Sequence, residues 1–144
     1  MFLIGDVHGA FKTYEYILFN MQLKGGTKGM DCSLQVGDMG VGFPEKAKAH
    51  YYKDGKSWAP EISKEHKWFR GNHDDPELCN THPNYIGDFG YCKKPDLFYC
   101  GGGYSIDFRS RIPGVSWWDG EQLTFKQSKD AFELYKKVKP RIMV

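Results

Sequence analysis

An α/β fold is predicted by three observations. Apolar runs of strand length recur, at Met1–Ile4, Ser33–Val36 and His66–Arg70. Each run breaks into a loop that joins glycine to aspartate, histidine or asparagine. Between the first two runs, apolar residues fall at Phe11, Tyr14, Leu18 and Met21, with Ile17 beside them, the spacing of one helical face. The composition allows a packed domain: 40% of the 144 residues are hydrophobic, 26% charged and 16% aromatic, values close to those of soluble globular chains about one domain long. A single domain over residues 1–144 is therefore expected.

Charge and hydropathy narrow the function classes. A net charge of +2 excludes a strongly basic nucleic-acid coat. No apolar run approaches the roughly 20 residues that cross a bilayer, and Met1–Ile4 breaks at Gly5-Asp6 without a basic leader, so no membrane association and a cytoplasmic location are expected. Cys32, Cys79, Cys92 and Cys100 form no CxxC pair and read as free thiols. A zinc knuckle of Cys79, His82, Cys92 and Cys100 is the weaker alternative, because the spacing is loose and interrupted by proline and glycine.

In chain order, the first strand ends in Gly5-Asp-Val-His-Gly9 and leads into the helix from Phe11, which Gly25-Gly26 stops. The second strand ends in Gly37-Asp-Met-Gly40. Residues 43–64 are Lys-rich and broken by Pro44, Gly55 and Pro60, so a surface excursion with a helical turn pair around Glu45–Tyr52 is expected; the acidic residues among its lysines mark a solvated face. The third strand runs into Gly71-Asn-His-Asp-Asp75, and Asp75-Pro76 opens a short helix. Further on, Leu97–Cys100 and Tyr104–Phe108 read as two strands around a tight turn at Gly101-Gly-Gly103, which lacks the Lys-Ser/Thr ending of a phosphate loop. A polar helix over Thr124–Lys137, with Phe125, Phe132 and Tyr135 as its apolar contacts, ends before Pro140, and Arg141–Val144 has a strand's character. Trp117 and Trp118 are expected to pack in the core or at its rim, and His50, His66 and His82 to be surface or partly buried histidines rather than substitute ligands.

The loops carry the chemistry. Open α/β sheets bind ligands at the carboxyl ends of their strands, so three such ends bearing Asp, His and Asn should share one crevice. Asp6 and His8 are two apart on an extended strand end, which places both on one side, able to chelate one ion. Asp38 comes from the next strand, and a carboxylate can bridge two ions about 3.5–4 Å apart. Asn72 adds an amide oxygen and His73 an imidazole that titrates near neutral pH. Mixed nitrogen and oxygen donors suit Mn, Fe, Zn, Co or Ni better than Mg or Ca.

These three motifs in this order, Gly5-Asp-Val-His-Gly9, Gly37-Asp38 and Gly71-Asn-His-Asp74, resemble the DxH, GD and GNH-acidic motifs of the calcineurin-like metallophosphoesterase superfamily. The motif match covers residues 1–75; a softer one covers Gly101–Gly103, Ser105-Ile-Asp107, Arg111 and Trp117-Trp118, similar to a segment of small bacterial and phage-type members. The resemblance implies a layered β-sandwich flanked by helices, of which this chain is the N-terminal portion. It implies two divalent transition ions, Mn foremost, with Asp6 and His8 on the first, Asp38 bridging and Asn72 on the second. It also implies His73, with Asp74 beside it, as the catalytic pair, His73 protonating the leaving oxygen while an ion-activated water attacks a phosphate mono- or diester.

Two departures qualify the resemblance. The protein Ser/Thr phosphatases extend the second motif with an Asp and an Arg, whereas here it continues Met39-Gly-Val-Gly-Phe43, which argues against a protein phosphatase and leaves Arg70, Arg109 or Arg111 to hold phosphate. A downstream His and a GHxH motif normally complete both metal shells, and neither follows, so a C-terminally truncated domain with an incomplete site is expected. Two rival functions are a catalytically incompetent remnant that binds a partner, and a nuclease of the same superfamily, with nucleic acid then its substrate; the near-neutral charge argues against extended duplex binding.

Overall fold

The structure, a computed structural model, describes residues 1–24, 32–44 and 51–144. Strand β1 (Phe2–Ile4), helix α1 (Phe11–Lys24) and strand β2 (Ser33–Val36) are followed by a small hairpin, β3 (Tyr52–Lys53) and β4 (Lys56–Ser57). Then come β5 (His66–Phe69), the short helix α2 (Pro76–Cys79), β6 (Phe89–Cys92), β7 (Leu97–Cys100), helix α3 (Phe125–Val138) and β8 (Ile142–Met143). The glycine stop at 25–26, the side chain of Met21, His50 and most of the turn pair expected around 45–52 lie outside the described residues.

Three strands pair as a parallel sheet in the order β1-β2-β5, with Leu3 opposite Leu34 and Gln35 opposite Trp68. Parallel pairing requires a crossover between consecutive strands, and α1 supplies the first one. Its Phe11, Tyr14 and Leu18 are buried in a cluster with Trp68, Met39 and Val41, while Tyr16 and Phe19, on the opposite face of the helix, stay exposed. Side chains alternate across the sheet. Trp68 therefore faces α1, whereas Leu34 and Phe69 face a second sheet.

That second sheet has the order β6-β7-β8, antiparallel then parallel. Leu97 and Tyr99 of β7 pack against Leu34 and Phe69, the Phe69 and Tyr99 rings stacking at 5.3 Å. Phe98 points the other way and meets Tyr135 of α3 with ring centroids 5.5 Å apart. The result is a mixed α/β molecule with small sheets and three α-helices among its described residues. None of the described helices is long and apolar enough to cross a membrane.

Four expectations are corrected. Tyr104–Phe108 is not a strand: β7 pairs instead with β6 across a turn closed by Asp96 N–H donating to Cys92 O, and Phe108–Ser110 forms a single 3₁₀ turn. The reason lies in the glycine run, whose N–H groups donate to Asp88 O, Arg70 O and Glu121 O rather than across a hairpin. In α3, Thr124 and Gln127 form the capping box, but Phe125 and Phe132 are 88% and 59% exposed and the buried residue is Ala131. Ala131, Phe132 and Tyr135 together line an open groove with Phe98, Leu123 and Met143. The excursion after Phe43 is not merely a solvated face, since Trp58 and Ala59 are core and Ser57 bonds the second motif loop. His66 and His82 are buried, hydrogen-bonded to Ser33 and to Ala59 O respectively.

Candidate metal centre

Because the sheet is parallel, β1, β2 and β5 deliver their following loops to one edge, and the loops are stitched into a single unit. His8 N–H donates to Asp38 O at 2.8 Å, and Gly9 N–H to Met39 O at 2.9 Å. This approach requires Gly40, where a Cβ would collide with the Gly9 backbone, and Gly71, where it would overlap the Asp38 carboxylate. Asp74, fully buried, ties the second loop to the third: its Oδ1 accepts from Gly40 N (2.6 Å) and Val41 N (3.0 Å), its Oδ2 from Met39 N (3.1 Å) and Gly71 N (2.8 Å). Burial raises the Asp74 carboxyl above its usual range, against the pull of those backbone donors. With both oxygens occupied by main chain, Asp74 holds the loops in register.

One donor atom from each of Asp6, His8 and Asp38 lies within 4.8 Å of the other two. His8 Nε2 sits 3.7 Å from both Asp6 Oδ1 and Asp38 Oδ2, too far for a hydrogen bond and suited to donors that face a common point. All three residues have left-handed backbones, with φ of 50°, 45° and 55°. Such conformations cost about 1–3 kcal/mol each in a non-glycine residue and persist where surrounding structure imposes them, most often at functional sites. The donor set, one imidazole nitrogen and two carboxylates, fits a divalent transition ion.

The third motif closes the other side. His73 N–H donates to Asp38 Oδ1 at 3.1 Å, so one carboxylate touches both the metal-type cluster and the third loop. Asn72 Nδ2 donates to Ser105 Oγ at 2.9 Å. The His73 ring meets His8 edge-on, centroids 4.9 Å apart, and stacks on Phe43, which in turn meets Trp118. Its Nε2 lies 2.8 Å from Arg111 Nη2, and Arg111 is held by Asp107 at 2.9 Å. Burial lowers the His73 pKa, Asp38 opposes that, and Arg111 and His8 add to the lowering.

Of the residues proposed from the sequence, Asp6, His8, Asp38 and His73 meet at one sheet edge, Asp74 is buried among the loop backbones, and Asn72, next to His73 in the chain, bonds to Ser105. Of the three arginines considered for phosphate, Arg70 is buried against Asp88 and Glu121 O, and Arg109 lies exposed over the Phe108 ring; Arg111 alone reaches His73. The four cysteines are free, and no zinc knuckle forms among the described residues. Ser105 entered the sequence reading only as part of the softer Ser-Ile-Asp match and Glu121 not at all, because both lie more than 30 positions beyond the third motif; the signal for Glu121 was the Trp-Trp pair just before it. No family model, curated protein or solved structure matches the chain.

Proposed function

We propose that this chain is a metal-dependent phosphoesterase domain of the calcineurin-like type, hydrolysing phosphate mono- or diesters. One observation carries the reading: three strand ends of one parallel sheet bring Asp6, His8, Asp38 and His73 together, with the first three held in left-handed backbone conformations, and Asn72 stands beside His73 in the third loop. Two sheets packed through Leu34, Phe69, Leu97 and Tyr99, with α1 and α3 outside them, fit the layered sandwich of that family. Asp6, His8 and Asp38 would hold one divalent transition ion, Mn foremost; Asp38 and Asn72 would hold the second. Such ions, when bound, activate water and neutralise phosphoryl oxygens.

The chain's own residues supply the rest. Asp38 couples the two halves of the site through its contacts with His8 and with the backbone of His73. Arg111 offers its planar guanidinium to phosphoryl oxygens at the rim of the crevice, which suits bidentate recognition of an anion. His73 donates a proton from Nε2 to the leaving oxygen, so that no free alkoxide is expelled. Phe43 stacks on the ring, and Trp118 meets Phe43 edge-on from behind.

The test is hydrolysis of p-nitrophenyl phosphate and bis(p-nitrophenyl) phosphate by the metal-free chain after addition of Mn²⁺, beside Asp38→Asn. Slow, ion-dependent turnover that Asp38→Asn abolishes is expected. Failure of every divalent transition ion to elicit hydrolysis would leave a protein that binds without catalysing and sink the enzymatic reading.

A further inference from the structure

Behind Asn72 runs a chain of hydrogen bonds that ends on a buried carboxylate. Asn72 Nδ2 donates to Ser105 Oγ at 2.9 Å, and Ser105 Oγ donates to Glu121 Oε2 at 2.5 Å. Ser105 N–H donates to the other carboxylate oxygen, Oε1, at 2.7 Å. Glu121 is 1% exposed and Ser105 1% exposed. Glu121 is itself fixed by its main chain, whose carbonyl accepts from Arg70 Nη1 at 2.7 Å and from Gly103 N at 3.1 Å.

The direction of this chain follows from donor arithmetic. An ionised carboxylate only accepts, and a serine hydroxyl has a single proton. Glu121 takes that proton, so Ser105 Oγ faces Asn72 as an acceptor and must receive an N–H. The Asn72 amide nitrogen is thereby drawn to Ser105, and its oxygen is turned to the opposite side. An asparagine without this restraint can present either end, since its two ends differ little in shape. Only the oxygen can ligate a cation.

We infer that Ser105 and Glu121 are positioning residues that select the metal-ligating face of Asn72; the inference rests on the metal-centre reading above. It assigns work to the segment beyond Gly101 that the three motifs leave unexplained. Replacing Glu121 by glutamine reverses the logic: its oxygen stays on Ser105 N–H, its amide then donates to Ser105 Oγ, and the serine proton turns to Asn72, which must offer its oxygen inward.

The experiment has two arms. In the metal-free protein, ¹⁵N-edited spectra should show the Asn72 side-chain NH₂ slowed in exchange and close to Ser105; Ser105→Ala should release it and Ser105→Thr should keep it. In calorimetric Mn²⁺ titration, Ser105→Ala and Glu121→Gln should weaken one of two binding events by about 10–100-fold and leave the other unchanged, while Ser105→Thr restores both. Equal weakening of both events, or of neither, overturns the inference, as does an Asn72 amide that exchanges freely in the wild type. A wild type that binds no Mn²⁺ at all overturns the metal-centre reading and the role inferred here with it; two bound ions with unaffected variants overturn the inference alone.

Discussion

Arg111 Nη2 lies 2.8 Å from His73 Nε2. A guanidinium only donates, so the imidazole nitrogen that would deliver a proton to a leaving group accepts a hydrogen bond instead, and the ring is neutral with its proton on Nδ1. The Arg111 charge thus disfavours the protonated form of His73.

The sign of this effect is testable by titration. Arg111 lowers the His73 pKa, so Arg111→Gln in the metal-free protein should move the His73 midpoint upward in ring-proton NMR. An unmoved or lowered midpoint would remove Arg111 as an electrostatic neighbour of the ring.

His73→Asn separates proton donation from binding. Turnover of alkyl phosphates, whose leaving oxygen needs a proton, should fall by about 10²–10⁴-fold, with far smaller loss on nitrophenyl esters. Equal losses on both substrates would take His73 out of the general-acid role.

Asp74 is expected to act on stability. Asp74→Ala leaves four backbone donors without their carboxylate, in a site with no exposure. Orphaned buried donors cost about 1–3 kcal/mol each before relaxation, so a loss of about 3 kcal/mol or more in denaturant unfolding is expected. A loss below about 1 kcal/mol, the size of an ordinary hydrogen bond, would mean the loops hold together without the clamp.

Acid stability should depend on Asp88. Burial would raise its pKa, but bonds from Arg70 Nε (2.5 Å), Tyr85 OH (2.6 Å) and Gln127 Nε2 (2.8 Å) outweigh burial and hold it below the usual carboxylate range. The folded state therefore binds fewer protons than the unfolded one as pH falls from about 4, the unperturbed carboxylate value, toward the folded value. Stability from this group is complete above that window and is lost as pH falls through the folded pKa. Asp88→Asn should lower the thermal midpoint at neutral pH and flatten its decline in acid; parallel acid limbs for wild type and variant would contradict the linkage.

Much of the site was legible in the residue order. Asp6, His8, Asp38, Asn72 and His73 each follow an apolar run of strand length, and a parallel α/β sheet places such strand ends at one edge whatever the details of packing. The helical spacing of Phe11, Tyr14 and Leu18 likewise follows from local periodicity, and all three are buried. The capping box of α3 is equally local: Thr124 and Gln127 are three apart.

Tertiary structure decided what depends on partners distant in sequence. Residues 104–108 are apolar enough for a strand, yet Glu121 captures both the backbone and the hydroxyl of Ser105, and β7 finds its partners in β6 and β8 instead. Phe125 and Phe132 look like core residues by type, but Ala131 takes the buried position of α3. Asp74 stands beside His73 in the sequence, and only the fold reveals that four backbone N–H groups from two loops donate to its carboxylate. The sequence by itself determined which side chains could do chemistry and which strand ends would carry them, because periodicity and loop composition are local. The positioning of those side chains was decided by hydrogen bonds such as Arg111 to His73 and Ser105 to Asn72, which span 38 and 33 positions and arise only once the chain has packed.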